Sequence, residues 1–125
     1  MKKTHNPKSA PKAIGPYSIA NEYNNLIFLS GQLPVDMETG EMVKNDVEKE
    51  TLIILTNIKN ILEELGSSMD KVLKTTVYLK NMDDFTKMNE IYGKFFMENH
   101  PSRSAFQVAK LPKDSDVEIE VIAIK

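Results

Sequence analysis

The segment Val117-Glu118-Ile119-Glu120-Val121-Ile122-Ala123-Ile124 constrains the fold more than any other part of the chain. Side chains of a strand point alternately to its two faces. Val117, Ile119, Val121 and Ala123 therefore share an apolar face suited to lie under helices, and Glu118, Glu120, Ile122 and Ile124 line the opposite face. That second face carries two carboxylates at one end and two isoleucines at the other. A solvated face seldom aligns two isoleucines, and a closed core does not hold unpaired carboxylates. The pattern predicts a face covered by a partner subunit, with its polar groups at the mouth of a cleft. The plainer alternative is an amphipathic strand with a solvated polar end and two stray isoleucines.

Upstream, Ile14-Gly15-Pro16-Tyr17 leads into a first strand around residues 17–22, after a polar, proline-containing stretch (1–13) expected to be a loose N-terminal arm. Asn24-Asn25 signals a turn, Leu26–Leu33 a strand broken at Ser30-Gly31, and residues 36–40 another turn. Val47, Ile54, Leu55, Ile58, Ile61, Leu62 and Leu65 have helical spacing. Asn45 with Glu48 is expected to form a capping box, Gly66 to stop that helix, and the run Glu48–Glu50 to be a solvated helix face. Val72–Leu79 reads as a strand, and Phe85, Met88, Tyr92, Phe95 and Phe96 as a second helix with Asp83 as its cap. Strands over 104–109 and 116–124 complete a β-β-α-β-α-β-β order, with a further short strand near Val35 or Met42. An α+β fold with two helices on one face of a mixed sheet follows.

A chain of 125 residues suits one domain, and no apolar run approaches the roughly 18–20 residues that span a bilayer. Met1–Lys3 is basic but precedes no apolar segment, so a cytoplasmic protein without a secretory signal is expected. A formal charge of −2, with lysines and acids interspersed, argues against nucleic acid as the main partner. There is no cysteine, hence no disulfide, thiolate nucleophile or Cys-bound zinc.

No glycine-rich phosphate loop or nucleophile elbow is present. Neither His5, in the arm, nor His100, before Pro101, has a metal-site partner, and both are expected to be solvated. No metal or cofactor is expected. An enzyme with these residues would perform an intrinsically easy reaction, in which positioning plus one acid or base suffices. Arg103 is the only arginine among 16 basic residues. Lysine supplies solubility equally well, but the planar five-donor fork that grips a carboxylate belongs to arginine. Arg103 shares a strand face with Ala105 and Gln107. At a subunit seam it could form a structural ion pair with a glutamate or flank a small charged ligand.

Ala13-Ile14-Gly15-Pro16-Tyr17-Ser18, Leu29-Ser30-Gly31-Gln32-Leu33-Pro34, the stretch from Pro101-Ser102-Arg103-Ser104-Ala105 to Leu111-Pro112-Lys113-Asp114, and the last strand resemble, in order and spacing, the signature blocks of the Rid (YjgF) family. The resemblance implies a chorismate-mutase-like fold whose homotrimer closes a central β-barrel, with a ligand cleft at each subunit interface. It implies a cofactor-free deaminase converting reactive 2-imino acids, such as 2-aminoacrylate, 2-iminobutanoate and 2-iminopropanoate, to 2-keto acids and ammonia. By the same resemblance Arg103 holds the substrate carboxylate, Glu118 positions the attacking water, Tyr17 enters from a neighbouring subunit, and Ser30, Gly31 and Asn89 line the cleft. Ala105 departs from the cysteine that many members carry there. A non-catalytic 2-keto-acid-binding trimer is the alternative, followed by the ribonuclease or chaperone-like roles ascribed to relatives.

Overall fold

In the computed structural model, which describes residues 1–125, six strands form one mixed sheet with two α-helices on one of its faces. The strands are β1 (Lys3–His5), β2 (Ala20–Tyr23), β3 (Leu26–Gln32), β4 (Val72–Leu79), β5 (Ser102–Gln107) and β6 (Val117–Ile124); the helices are α1 (Val47–Glu64) and α2 (Phe85–Phe95). Their order across the sheet is β1-β2-β3-β6-β4-β5. Every neighbouring pair is antiparallel except β4 and β5, which run parallel because α2 returns the chain between them.

The alternation in β6 is realised as its pattern demands. Val117, Ile119, Val121 and Ala123 are buried under the helices, where they meet Ile54, Leu55, Ile58, Leu62 and Met88. On the other face Tyr23, Phe28, Phe106 and Ile124 remain exposed, beside half-buried Ile122. Asn24 and Asn25 both take positive φ (47° and 64°), the geometry of a tight two-residue hairpin between β2 and β3. Gly66, at φ +86°, ends α1: its N–H donates to the Glu63 carbonyl and that of Ser67 to Leu62. The short strand expected near Val35 and Met42 is a single antiparallel bridge between those two residues, pinned to α1 by Asn57.

Five local expectations give way. The N-terminal stretch is not loose: β1 pairs with β2, Asn6 Oδ1 accepts from the Ile19 N–H, Glu64 accepts from the N–H groups of Lys8 and Ser9, and Ala10 joins the core. Backbone pairing needs no apolar side chains, so a polar segment can be held this way. The cap of α1 is Asp46, accepting from Lys49 N–H, rather than Asn45, which stands one residue too early in the left-handed region (φ 59°). Asp83 likewise is not the cap of α2: Asn81 accepts its N–H in a 3-10 turn that precedes the helix. His5 is not simply solvated, since Nε2 lies 3.0 Å from Glu22 Oε1. No helix is long and apolar enough to cross a membrane.

Glu50 is the fifth departure. Instead of facing solvent it is fully buried, where its carboxylate accepts from the backbone N–H groups of Asp46 and Asp116 and from Ser115 Oγ. Loss of hydration raises its pKa to about 7, and the adjoining Asp116 carboxyl adds to the rise. The folded state then holds a proton that the unfolded chain releases near pH 4.5, so this residue's contribution to stability falls as pH rises from about 4.5 to about 7. Glutamine cannot ionise, and its amide can donate to Asp116 while its oxygen accepts the same N–H. Glu50→Gln is therefore expected to be more stable than wild type at pH 8 by about 1–3 kcal/mol, and nearly equal at pH 4. Urea unfolding at the two pH values checks this; an identical pH dependence in both proteins would overturn the assignment.

Candidate functional site

The site residues fall into two groups. The first surrounds Glu118. β3 bulges between Leu29 and Gln32, which pair with Val121 and Ile119, so Ser30 and Gly31 together oppose Glu120. The bulge carries Gly31 against the carboxylate: a Cβ added there would sit 2.6 Å from Glu118 Oε1, which only glycine permits without displacing the acid. Ser30 Oγ donates to the Ser18 carbonyl (2.7 Å) and Ser30 N–H to that of Ile19, tying the bulge to the segment that bears Tyr17. Tyr17 and Gly31 border a small cavity of about 80 Å³ with Leu33, Lys12 and Lys113. Burial raises the pKa of Glu118, and the neighbouring Glu120 charge adds to this. A carboxylate so placed is a better proton acceptor than one in water. Beside it, Tyr78 donates to Glu120 (2.5 Å), and its own pKa is pushed up to about 12.

The second group surrounds Arg103. Its guanidinium donates to Asn89 Oδ1 (2.7 Å) and lies over the rings of Tyr92 (4.7 Å) and Phe85 (5.3 Å). None of the chain's ion pairs includes it. An open groove of about 410 Å³ runs past it, bordered by Asn89, Tyr92, Gly93, His100 and Pro101. Ala105 points to the same side of β5 and packs against the core. A cation with most of its donors free, braced from behind, is built to receive an anion.

Strand parity keeps the groups apart within one chain. Arg103 pairs with Thr75 on β4, and Thr75 with Val121, so all three project toward the helices. Glu118 pairs with Tyr78 and projects from the opposite face. The two residues are also two strands apart and offset by three residues, about 10 Å in each direction. Within one chain the structure thus gathers Tyr17, Ser30, Gly31 and Glu118 in one group and Arg103, Asn89 and Ala105 in another.

Sequence reasoning did not single out Phe85 and Tyr92 as site residues, because an aromatic at helical spacing reads as core. The signal was present in the spacing of Phe85, Asn89 and Tyr92 (i, i+4, i+7), which places one polar and two aromatic groups on a single stripe of α2. His100, read as merely solvated, is exposed but borders the Arg103 groove. No group of three or more His, Cys, Asp or Glu residues is arranged to hold a metal ion.

Comparison with known proteins agrees with this architecture. The family model described as Endoribonuclease L-PSP matches residues 7–125. A RutC family protein of Pyrococcus abyssi is 52% identical over 118 residues, covering 94% of this chain and 93% of that one. The human 2-iminobutanoate/2-iminopropanoate deaminase is 45% identical over 116 residues, covering 93% and 85%. The crystal structure of Escherichia coli TdcF with bound serine superposes with a TM-score of 0.92 at 40% identity, covering 98% of each chain. With a family model spanning nearly its whole length and relatives this similar, the chain belongs to the YjgF/RutC family, the Endoribonuclease L-PSP proteins.

Proposed function

We propose that the protein hydrolyses reactive 2-imino acids to 2-keto acids and ammonia, in clefts formed where copies of the chain meet. The observation that carries this reading is the unpaired guanidinium of Arg103, aimed into a groove and backed by Asn89, Phe85 and Tyr92. Such a group selects a small carboxylate. The deaminase name of the human relative and the serine bound to TdcF, itself an α-carboxylate, support the choice of substrate class. Separation of the half-sites on opposite faces supports assembly, as does the exposure of Phe28, Phe106 and Ile124 on the uncovered face. Three copies packing these faces into a barrel would bring Arg103 of one beside Glu118 and Tyr17 of the next.

In this mechanism Arg103 forms two parallel hydrogen bonds to the substrate carboxylate and fixes the imine carbon near a water held by Glu118. Glu118 accepts a proton as the water oxygen bonds to that carbon and passes it to the imine nitrogen, giving a neutral carbinolamine. Glu118 then takes the hydroxyl proton and returns it to the nitrogen as the C–N bond breaks, leaving the keto acid, ammonia and the ionised carboxylate. Tyr17 and Ser30 shape the pocket beside the nitrogen. 2-Imino acids hydrolyse unaided, so a few kcal/mol of barrier reduction suffices, each 1.36 kcal/mol giving about tenfold. That modest demand suits a site without metal ligands or thiols.

A threonine dehydratase-coupled assay, with semicarbazide competing for the imine, tests this reading. Arg103→Lys keeps the charge but loses the fork, and is expected to raise KM by at least about tenfold with the oligomer intact. A fully active lysine variant would refute the clamp. Glu118→Gln is expected to lower kcat about a hundredfold while 2-oxobutanoate still binds. Wild-type activity should fall as pH drops through the raised pKa of Glu118, because the base must be ionised; the glutamine variant should lack that limb. Gly31→Ala should leave Tm within a few degrees yet cut kcat/KM about tenfold, since its Cβ takes the space of the Glu118 carboxylate. Saturable keto-acid binding without acceleration of hydrolysis would identify a binding module instead.

A further inference from the structure

We infer that Tyr92 is a positioning residue for the carboxylate clamp, acting through Arg103, and that its hydrogen bond to Thr75 is the strut that sets the guanidinium plane. This rests on the reading of Arg103 as the clamp. Tyr92 is buried, and its hydroxyl meets Thr75 Oγ1 at 2.7 Å, with Thr75 also fully buried. Thr75 is the residue paired with Arg103 between β4 and β5. The contacts therefore close a circuit: from the Arg103 backbone across to Thr75, through the two hydroxyls to the Tyr92 ring, and back to the guanidinium 4.7 Å from that ring's centre.

Three considerations give the circuit a role beyond packing. First, β5 is an edge strand, held by β4 alone, so the base of the Arg103 side chain has support on one side only. Second, the single bond to Asn89 anchors one guanidinium nitrogen but leaves the plane free to swing about that contact. A ring face beneath the guanidinium removes that freedom, and a bidentate grip depends on the plane. Third, phenylalanine would fill the same core space without a hydroxyl that must find a partner in a dry interior. The hydroxyl is spent on fixing the ring relative to the strand that carries Arg103's neighbour.

Because Arg103 is the chain's only arginine, its side-chain Nε–H gives one resonance in an arginine-region NMR spectrum, and no assignment is needed. Wild type is expected to show one ring-shifted signal. Tyr92→Leu should lose the shift, while Thr75→Val and Tyr92→Phe should move or broaden it with the backbone spectrum otherwise preserved. In the coupled assay Tyr92→Phe should raise KM about three- to tenfold with kcat within about twofold, and Tyr92→Leu should raise it further. In an Arg103→Lys background, where there is no plane to orient, the same substitutions should change KM less than about twofold. An Arg103 resonance unmoved by Tyr92→Leu, or KM effects undiminished in the lysine background, would overturn the inference. Wild-type kinetics in both Arg103→Lys and Arg103→Ala would instead defeat the clamp reading on which it rests.

Discussion

The organisation of this protein depends on the burial of one face of β6, a strand with neighbours on both sides. It lies between β3 and β4, and its inward residues seal the core beneath α1 and α2. Once that face is committed, the period of two leaves Glu118 and Glu120 on the other side whatever the rest of the chain does. The same registration runs through β4 into β5 and sends Arg103 to the helix side. Moving Glu118 to the helix side would need a one-residue slip of β6 that expels Ile119 and Val121 from the core, and moving Arg103 would need a slip of β5 that turns Ala105 out and Phe106 in. The separation of Glu118 from Arg103 is thus a consequence of how the core is closed.

Much of this is legible in the sequence. β4 has the bounds its pattern indicates, the two faces of β6 are populated as read, and Gly66 stops α1 by the mechanism expected of a glycine there. These features depend on periodicity or on one residue's backbone freedom. What failed depends on tertiary contact. The pairing of β1 uses backbone groups that leave no mark on composition, and the burial of Glu50 is set by donors 65 and 66 residues away in Ser115 and Asp116. The cap at Asp46 rather than Asn45 is a one-residue uncertainty that two adjacent capping residues always create. The site was partly legible in the same sense. Gly31 and Glu118 are 87 positions apart in sequence, yet the bulge presses them together, and only the register shows it.

The two half-sites are stiffened by different means. Glu118 stands on a central strand with neighbours on both sides, and Gly31 approaches it as backbone, the least mobile wall a protein has. Arg103 has a long side chain on an edge strand. Left to itself such a side chain samples many rotamers, and ordering it on ligand binding costs affinity. The stripe of Phe85, Asn89 and Tyr92 on α2 meets that cost during folding instead.

The proposed hydrolysis has a low intrinsic barrier, which would make this division workable. Strong acid–base groups or a metal would need placement to within about 0.5 Å across a subunit boundary. In the proposed cleft one subunit would supply orientation through a charge, and the other a carboxylate that moves protons between water and the imine nitrogen. In that arrangement the substrate would lie across the seam, and small rigid-body differences between subunits would be absorbed by where the water sits. The tightest geometry lies within each half: no Cβ fits between Gly31 and the Glu118 carboxylate, and Asn89 bonds the Arg103 guanidinium where it lies over the Tyr92 ring.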